Sequence, residues 1–275
     1  VIFSDRGSGF WLGTDKHGLL RIAQGRTERF ARADGLSDAM VNDIFEERAH
    51  AVVREIDAAG GRAFAAVADI TKQPEVEAVA AAAREALGPI DILVNNAGVL
   101  VERREKGGAA PLFLETDTEG WQRIVDLNVF AMMYTCQAVL PGMKARRHGK
   151  IINIMSEAGR AGEARLAVYS GAKAAMLGFA KAIAREHGGD CINVNVIALG
   201  AVSHEGIREG ALSPEATPEN NERLGKMLNA YPMSRGLRRL ARPEDISGMV
   251  CLLASDRAAY ITGQSIGISG GFVMQ

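Results

Sequence analysis

"IDILVNNAG", residues 90–98, decides the fold. It is a short apolar run broken by Asp91 alone, and it closes on two asparagines, an alanine and Gly98. A run of this length ending in a glycine turn reads as a strand buried on both faces. Such strands belong to parallel sheets covered by helices on either side. Working outward, similar runs recur as "RAFAAVAD" (62–69), "GKIINIMS" (149–156), "INVNVIALG" (192–200) and "GQSIGIS" (263–269). Helical stretches separate them. "AHAVVREIDAAGG" (49–61) is the end of a helix closed by Gly60 and Gly61, and "QPEVEAVAAAAREALG" (73–88) is a helix with Pro74 in its first turn and Gly88 beyond its end. Further helices are "TEGWQRIVDLNVFAMMYTCQAVLPGM" (118–143), "AVYSGAKAAMLGFAKAIAREHG" (167–188) and "RPEDISGMVCLLAS" (242–255). This alternation predicts an α/β chain with a doubly wound, Rossmann-like parallel sheet.

The chain has 275 residues, 47% of them hydrophobic, and a net charge of -1, which fits one large α/β domain or two small ones. Near-neutrality gives no electrostatic case for a nucleic-acid partner. The basic clusters "KARRHGK" (144–150) and "LRRLAR" (237–242) read as helix-end cations and solvated faces. No apolar run is expected to approach the ~20 residues of a membrane span. No leader pattern is read at the N-terminus, and the expected compartment is the cytoplasm. Cys136, Cys191 and Cys251 lie far apart without a C-x-x-C spacing, so they are expected to be buried reduced thiols rather than disulfide or zinc ligands. The five histidines show no metal spacing, and no metal is expected.

Residues 1–47 do not share the alternation. "GFWLGTD" (9–15) reads as a strand, "GLLRIAQGRTERFA" (18–31) as a hairpin turning at Gln24-Gly25, and "RADGLSDAMVNDIFEE" (32–47) as a turn followed by an apolar segment. A composition boundary falls near residues 46–49. It divides a β-rich segment, 1–47, from the α/β unit, 48–275.

The chemistry concentrates on "YSGAK", which puts Tyr169 and Lys173 four apart on one helix face. An ammonium close to a phenol favours the phenolate, and a tyrosine so tuned can exchange a proton with a carbonyl or alcohol oxygen. Ser156 ends the strand "KIINIMS" thirteen residues earlier, at the sheet edge where open parallel sheets place ligands. Asn128 lies in "LNVF" on the long helix, and Gly98 lets backbone approach a ligand closely.

From about residue 49 onward the chain resembles the short-chain dehydrogenase/reductase family. The matching features are the N-N-A-G turn (95–98), Asn128, Ser156, the Y-x-x-x-K pair and "ADI" (68–70). The ending "RPEDISGMVCLLASDRAAYITGQSIGISGG" (242–271) resembles members that reduce 3-oxoacyl thioesters. The resemblance implies that Tyr169 is the general acid/base, that Lys173 lowers its pKa and holds the nicotinamide ribose, that Ser156 steadies the carbonyl oxygen and that Asn128 holds a relay water. It implies NAD or NADP as cofactor. Asp69 and Ile70 would flank the adenine, and Asn95, Ala97 and Gly98 would border its ribose. Gly200 and Val202 would lie beside the nicotinamide. It also implies a small carbonyl or alcohol substrate and a homodimer or homotetramer.

Three departures stand out. In "ALGAVSH" (198–204), Leu199 and His204 replace the family's proline and threonine. "VERREKGGAA" (101–110) reads as an enlarged loop near the cleft. The family's opening strand, T-G-x-x-x-G-x-G turn, helix and strand are not found. Gly9 and Gly13 have the separation of that turn, but Asp15 takes the third glycine's place and no helical period follows. Instead "GFWLGTDKHGLLRIAQGRTERFARADGLSDAMVNDIFEE" (9–47) resembles one blade of the β-propellers in two-component sensors. The expected sheet therefore lacks its first β-α-β unit, and "IDILV" has no neighbour unless the N-terminal β segment pairs there. Three function classes fit, one of them a sensor fragment should residues 1–47 belong to a longer propeller. Another is an oxidoreductase interconverting a carbonyl and a secondary alcohol. The last is an impaired or non-enzymatic member lacking the glycine-rich loop.

Overall fold

Pro74 opens a helix at Gln73–Leu87, and Gly88 closes it with φ 98, a backbone angle that favours glycine. Similar local rules delimit the other elements. The structure is a computed structural model that describes residues 2–4, 13–14, 18–19, 38–42, 46–58, 61–98, 110–202 and 218–274. The strands are β1 (Ile2–Ser4), β2 (Gly13–Thr14), β3 (Gly18–Leu19), β4 (Asp38–Asn42), β5 (Arg62–Ala66), β6 (Ile92–Asn95), β7 (Gly149–Ser156), β8 (Ile192–Leu199) and β9 (Ser265–Ile268). The helices are α1 (Glu46–Ala58), α2 (Gln73–Leu87), α3 (Thr118–Val125), α4 (Ala131–Arg146), α5 (Ala158–Ala161), α6 (Ala167–His187), α7 (Pro218–Ala230), α8 (Pro232–Leu237) and α9 (Pro243–Ala254).

Seven strands form one sheet in the order β5-β4-β1-β6-β7-β8-β9. β4–β5, β6–β7, β7–β8 and β8–β9 pair in parallel, with registers such as Val94↔Ile152 and Ile154↔Ile197. Side chains alternate across a pleated strand, and the core follows that alternation. Ile92, Val94, Ile152, Ile154 and Ile197 pack with Ile56 of α1 and Val250 of α9 on one face. Leu93, Ile151, Met155 and Val194 pack with Ala80 of α2, Met143 of α4 and Met176 of α6 on the other. The sheet is thus wound on both sides, as the apolar runs imply.

The N-terminal segment enters this sheet. β1 runs antiparallel to both β4 and β6, pairing Ile2↔Met40 and Ile2↔Leu93, so it fills the place beside β6. β4 pairs in parallel with β5 from Asp38↔Arg62 to Asn42↔Ala66, and α1 connects the two. The propeller-blade reading is not supported. Its apolar "DAMVN" finds a parallel partner in the main sheet, whereas a blade is an antiparallel meander. Among the described residues β2 and β3 pair with each other and with no further strand. The hairpin expected at Gln24-Gly25, the glycines at positions 7 and 9, and Asp15 lie outside the described residues.

Two other expectations need correction. α3 and α4 join through a π-helical turn at Asp126–Phe130, and the whole run, Thr118–Arg146, is 29 residues long and apolar enough to cross a membrane by length and composition. It passes that test because "LNVFAMMYTCQAVLPGM" carries no charge. Its Met132, Cys136, Val139 and Met143 nevertheless pack against the sheet. Cys136 and Cys251 are buried thiols that form no disulfide, but Cys191 is exposed, because it follows the end of α6 on a left-handed turn residue with φ 59.

Candidate active site

The site gathers where β6, β7 and β8 end, against the first turns of α6. Tyr169 and Lys173 lie one turn apart on that helix. The Lys173 side chain is buried, with its Nζ 5.7 Å from the centre of the Tyr169 ring. Nζ also donates to the Ile154 carbonyl at 3.4 Å. Burial lowers the Lys173 ammonium from 10.5 to about 8, because the charged form loses hydration. At neutral pH the group still carries its charge for most of the time.

Asn128 sits in the π-helical turn between α3 and α4 rather than in regular helix. Such turns insert one extra residue into a helix and recur at functional sites. Its Nδ2 donates to Ile124 O at 2.9 Å, while its buried Oδ1 has no partner. A Cβ on Gly98 would lie 2.5 Å from Lys173 Nζ and 2.8 Å from Asn128 Oδ1. Glycine at 98 therefore keeps open a small polar cradle bordered by an ammonium and an unpaired acceptor.

Ser156 is the last residue of β7 and pairs with Leu199 on β8. Its Oγ accepts from the Ala158 N–H at 3.2 Å, which leaves the hydroxyl hydrogen free to donate. Lys173 reaches the strand just before Ser156, through Ile154. Its own backbone meets the turn just after, since a Cβ on Gly159 would stand 2.8 Å from the Lys173 carbonyl carbon. Lys173 is thus bracketed by the residues on either side of Ser156.

The remaining expected residues lie around this centre. Asn95 is used internally: Nδ2 donates to Asn153 Oδ1 at 2.8 Å, and Oδ1 accepts from the Thr135 hydroxyl at 2.6 Å. Ala97 is exposed beside buried Gly98. Asp69 is exposed after β5, where its carboxylate accepts from the Thr71 hydroxyl at 2.7 Å and from Thr71 N–H at 2.9 Å. These bonds lower its pKa, the hydroxyl bond most. Half-buried Ile70 follows in the same turn. Gly200 prolongs β8, and a Cβ there would meet Tyr231 at 2.9 Å and Ser269 Cα at 3.0 Å, so the backbone is closely packed. Val202 bridges Ala241 in parallel. His204 and residues 101–109 of the enlarged loop lie outside the described residues. Among the described residues no cluster with metal-ligand character occurs.

Sequence reasoning passed over Glu157 and Arg160, a buried ion pair directly after Ser156. The signal available was two opposite charges three apart, on a turn flanked by apolar and small residues. It also passed over Tyr231, half-buried against Gly200 and tilted against Phe272 at 4.8 Å.

Known proteins share this sequence pattern and fold. The sequence matches the family model described as short chain dehydrogenase over residues 25–211, a match that begins well inside the β-rich segment. It is 35% identical over 229 residues to a 3-oxoacyl-[acyl-carrier-protein] reductase of Synechocystis sp., covering 82% of each chain. It is also 35% identical over 239 residues to a 7alpha-hydroxysteroid dehydrogenase of Escherichia coli K12, covering 87% of this chain and 86% of the relative. A solved structure of 7alpha-hydroxysteroid dehydrogenase, complexed with NADH and 7-oxo glycochenodeoxycholic acid, superposes with a TM-score of 0.74 at 34% identity. That match covers 92% of this chain and 91% of the other. With this sheet, this site and these relatives, the chain belongs to the short-chain dehydrogenase family of oxidoreductases.

Proposed function

We propose that the chain interconverts a carbonyl and a secondary alcohol with a nicotinamide cofactor. The observation that carries this reading is the convergence of Lys173, Asn128 and Gly98 beside Tyr169 at one edge of the sheet. The Tyr169 phenol gives a proton to the substrate oxygen in reduction and takes it back in oxidation. Ser156 donates its free hydrogen to the same oxygen and holds it in place. The Lys173 ammonium beside the phenol favours the ionised ring oxygen. The unpaired Asn128 Oδ1 suits a water that returns protons to Lys173.

The residues present fit a nicotinamide cofactor at its ribose end. Gly98 leaves room, Lys173 offers donors, and the cradle between them is polar. When bound, the nicotinamide supplies or takes the hydride. Gly200 and Val202 stand beside the nicotinamide in this reading, Asp69 and Ile70 flank the adenine, and Ala97 and the backbone of Asn95 border the adenine ribose, while Gly98, against Lys173 Nζ, meets the nicotinamide ribose instead. NAD and NADP both fit these residues.

A 3-oxoacyl thioester is the first substrate class and a cyclic or aliphatic secondary alcohol the second, in keeping with the two kinds of relative. The working form is a cytoplasmic homodimer or homotetramer built on the long helices, where Phe130 is 39% exposed and stacks on Tyr134. Residues 1–47, β-rich in composition, contribute β1 and β4 to the sheet of the Rossmann-like unit 48–275. A second reading, an impaired member, is favoured by Asp15 standing where the third glycine of the phosphate turn belongs.

The test is turnover with NADH and NADPH on acetoacetyl-CoA and on a cyclic ketone, for the wild type and for Tyr169→Phe. Loss of the phenol should lower turnover by at least ~10²-fold. Ser156→Ala should also lose turnover. A Tyr169→Phe protein as active as the wild type overturns the assignment. A wild type that binds neither cofactor, followed by nucleotide fluorescence, supports the impaired reading instead.

A further inference from the structure

Glu157 is 1% exposed, and the Arg160 side chain is 6% exposed. Arg160 Nη1 lies 3.3 Å and 3.4 Å from the two Glu157 carboxylate oxygens. A buried ion pair loses in desolvation about what it returns in attraction, so its presence is weak evidence of a stabilising role. Its geometry is more informative. Arg160 Nε and Nη2 reach Ser265 Oγ on β9 at 3.2 Å and 2.8 Å, and Nη2 also donates to the Ser265 carbonyl. Ser265 and Gly267 are two apart and so share one face of β9. A Cβ on Gly267 would lie 2.8 Å from Glu157 Oε1 and 2.9 Å from Arg160 Nη1. The last strand therefore gives the pair an anchor at Ser265 and a space at Gly267.

The backbone around the pair leads to the reacting groups. Glu157 N donates to Leu199 O at 2.9 Å, and the Glu157 carbonyl accepts from Arg160 N and Ala161 N at 2.9 Å each. Within the same turn Ala158 N donates to Ser156 Oγ. Gly159 abuts the backbone of Lys173 and Ala174. Glu157 and the four-residue helix that follows it, α5, thus together touch β7, β8, β9 and the helix that carries Tyr169.

We propose that Glu157 and Arg160, anchored on Ser265, are positioning residues that set the Ser156 hydroxyl against Tyr169 and Lys173. The inference rests on the reading of Ser156 and Tyr169 as the groups that address the substrate oxygen. The pair holds the turn, the turn's Ala158 N–H occupies one lone pair of Ser156 Oγ, and the hydroxyl hydrogen is thereby directed outward.

The experiment compares the wild type, Gly267→Ala and the double variant Glu157→Leu/Arg160→Met. The double variant replaces the pair with apolar side chains, a change that commonly keeps or raises stability. Gly267→Ala keeps both charged groups but pushes them from their positions. Arg146→Met, which breaks a pair with Asp91 at the far end of the sheet, controls for loss of stability. Turnover, apparent KM for cofactor, thermal midpoint and amide hydrogen exchange over residues 157–166 are measured. The proposal expects kcat to fall at least ~10-fold in both clamp variants. Cofactor KM should move less than about twofold. Exchange over 157–166 should quicken even where the midpoint is unchanged. A double variant with the wild-type midpoint, wild-type kcat and wild-type exchange overturns the clamp. A wild type without turnover contradicts the functional reading. The exchange comparison then decides the clamp alone, and unchanged protection refutes it.

Discussion

Lys173 keeps its charge where little water reaches it, and this makes stability depend on pH. Its ammonium titrates at about 8 in the folded chain and at 10.5 without that burial. Below pH 8 both states hold the proton, and the folded state bears the full desolvation cost. Between these values the folded chain gives up its proton first. The unfolded chain then binds more protons, and stability rises with pH. The gain across the window is on the order of 3 kcal/mol for a group so deeply buried. Urea midpoints of wild type and Lys173→Met between pH 7.5 and 10.5 should therefore diverge, the wild type gaining where the variant does not. Parallel curves would show that the charge is not held against desolvation. That Tyr169 and Lys173 share one helix turn and that Ser156 ends a strand was legible in the sequence because each is written in consecutive residues, whereas the place of Asn128 in a π-helical turn beside them was not. Glu157 and Arg160 were not legible either, because their partner Ser265 is 105 residues away from Arg160 and enters only through the folded sheet.

Two glycines at opposite ends of the parallel strands separate packing from chemistry at the level of elements. Gly149 opens β7, and a Cβ there would stand 2.5 Å from Met143 Sδ and 2.9 Å from Met143 Cβ on α4. Met143 is fully buried, so the helix cannot easily yield. Gly149→Ala should cost about 1–3 kcal/mol, the usual scale of overpacking, with little change in kcat. Gly98, just beyond the end of β6, faces the tips of the Lys173 and Asn128 side chains, whereas Gly149 meets Met143 as far back as its Cβ. Gly98→Ala should keep most of the stability yet lose turnover and cofactor affinity. Chemical denaturation and steady-state kinetics on the two variants check the crossed pattern, and equal effects on both measures would sink it. The strands of both faces could be read from apolar runs because alternation is written into consecutive residues. The π-helical turn at Asp126–Phe130 could not, because one inserted residue leaves no trace in composition.

At the scale of the molecule, the sheet from β6 onward and its helices were legible in the α/β alternation, whereas the pairing of the first residues was not. A three-residue strand carries no periodicity, and its direction depends on what it meets. The absence of a recognisable glycine turn still bears on function. A pyrophosphate is ordinarily held by backbone N–H groups at a helix N-terminus. Replacing residues 1–48 with a family-length strand, T-G-x-x-x-G-x-G turn, helix and strand should tighten NADH or NADPH binding by at least ~10-fold, about 1.4 kcal/mol. Equal affinity in graft and parent would show that the present N-terminus already serves that role. β1 has a further consequence. It is joined to β4 by three residue pairs and to β6 by two, and it is the sole strand between them. The backbone ladder is therefore narrowest there, a seam between β4–α1–β5 on one side and the longer β7 and β8 on the other. Cooperative units part where few bonds must break. Native-state exchange in mild denaturant should find amides of β4 and β5 opening as one early foldon, while those of β7 and β8 exchange only with global unfolding. A single opening free energy for all four strands would mean that the helices bridging the seam, not its hydrogen bonds, set the unit of folding.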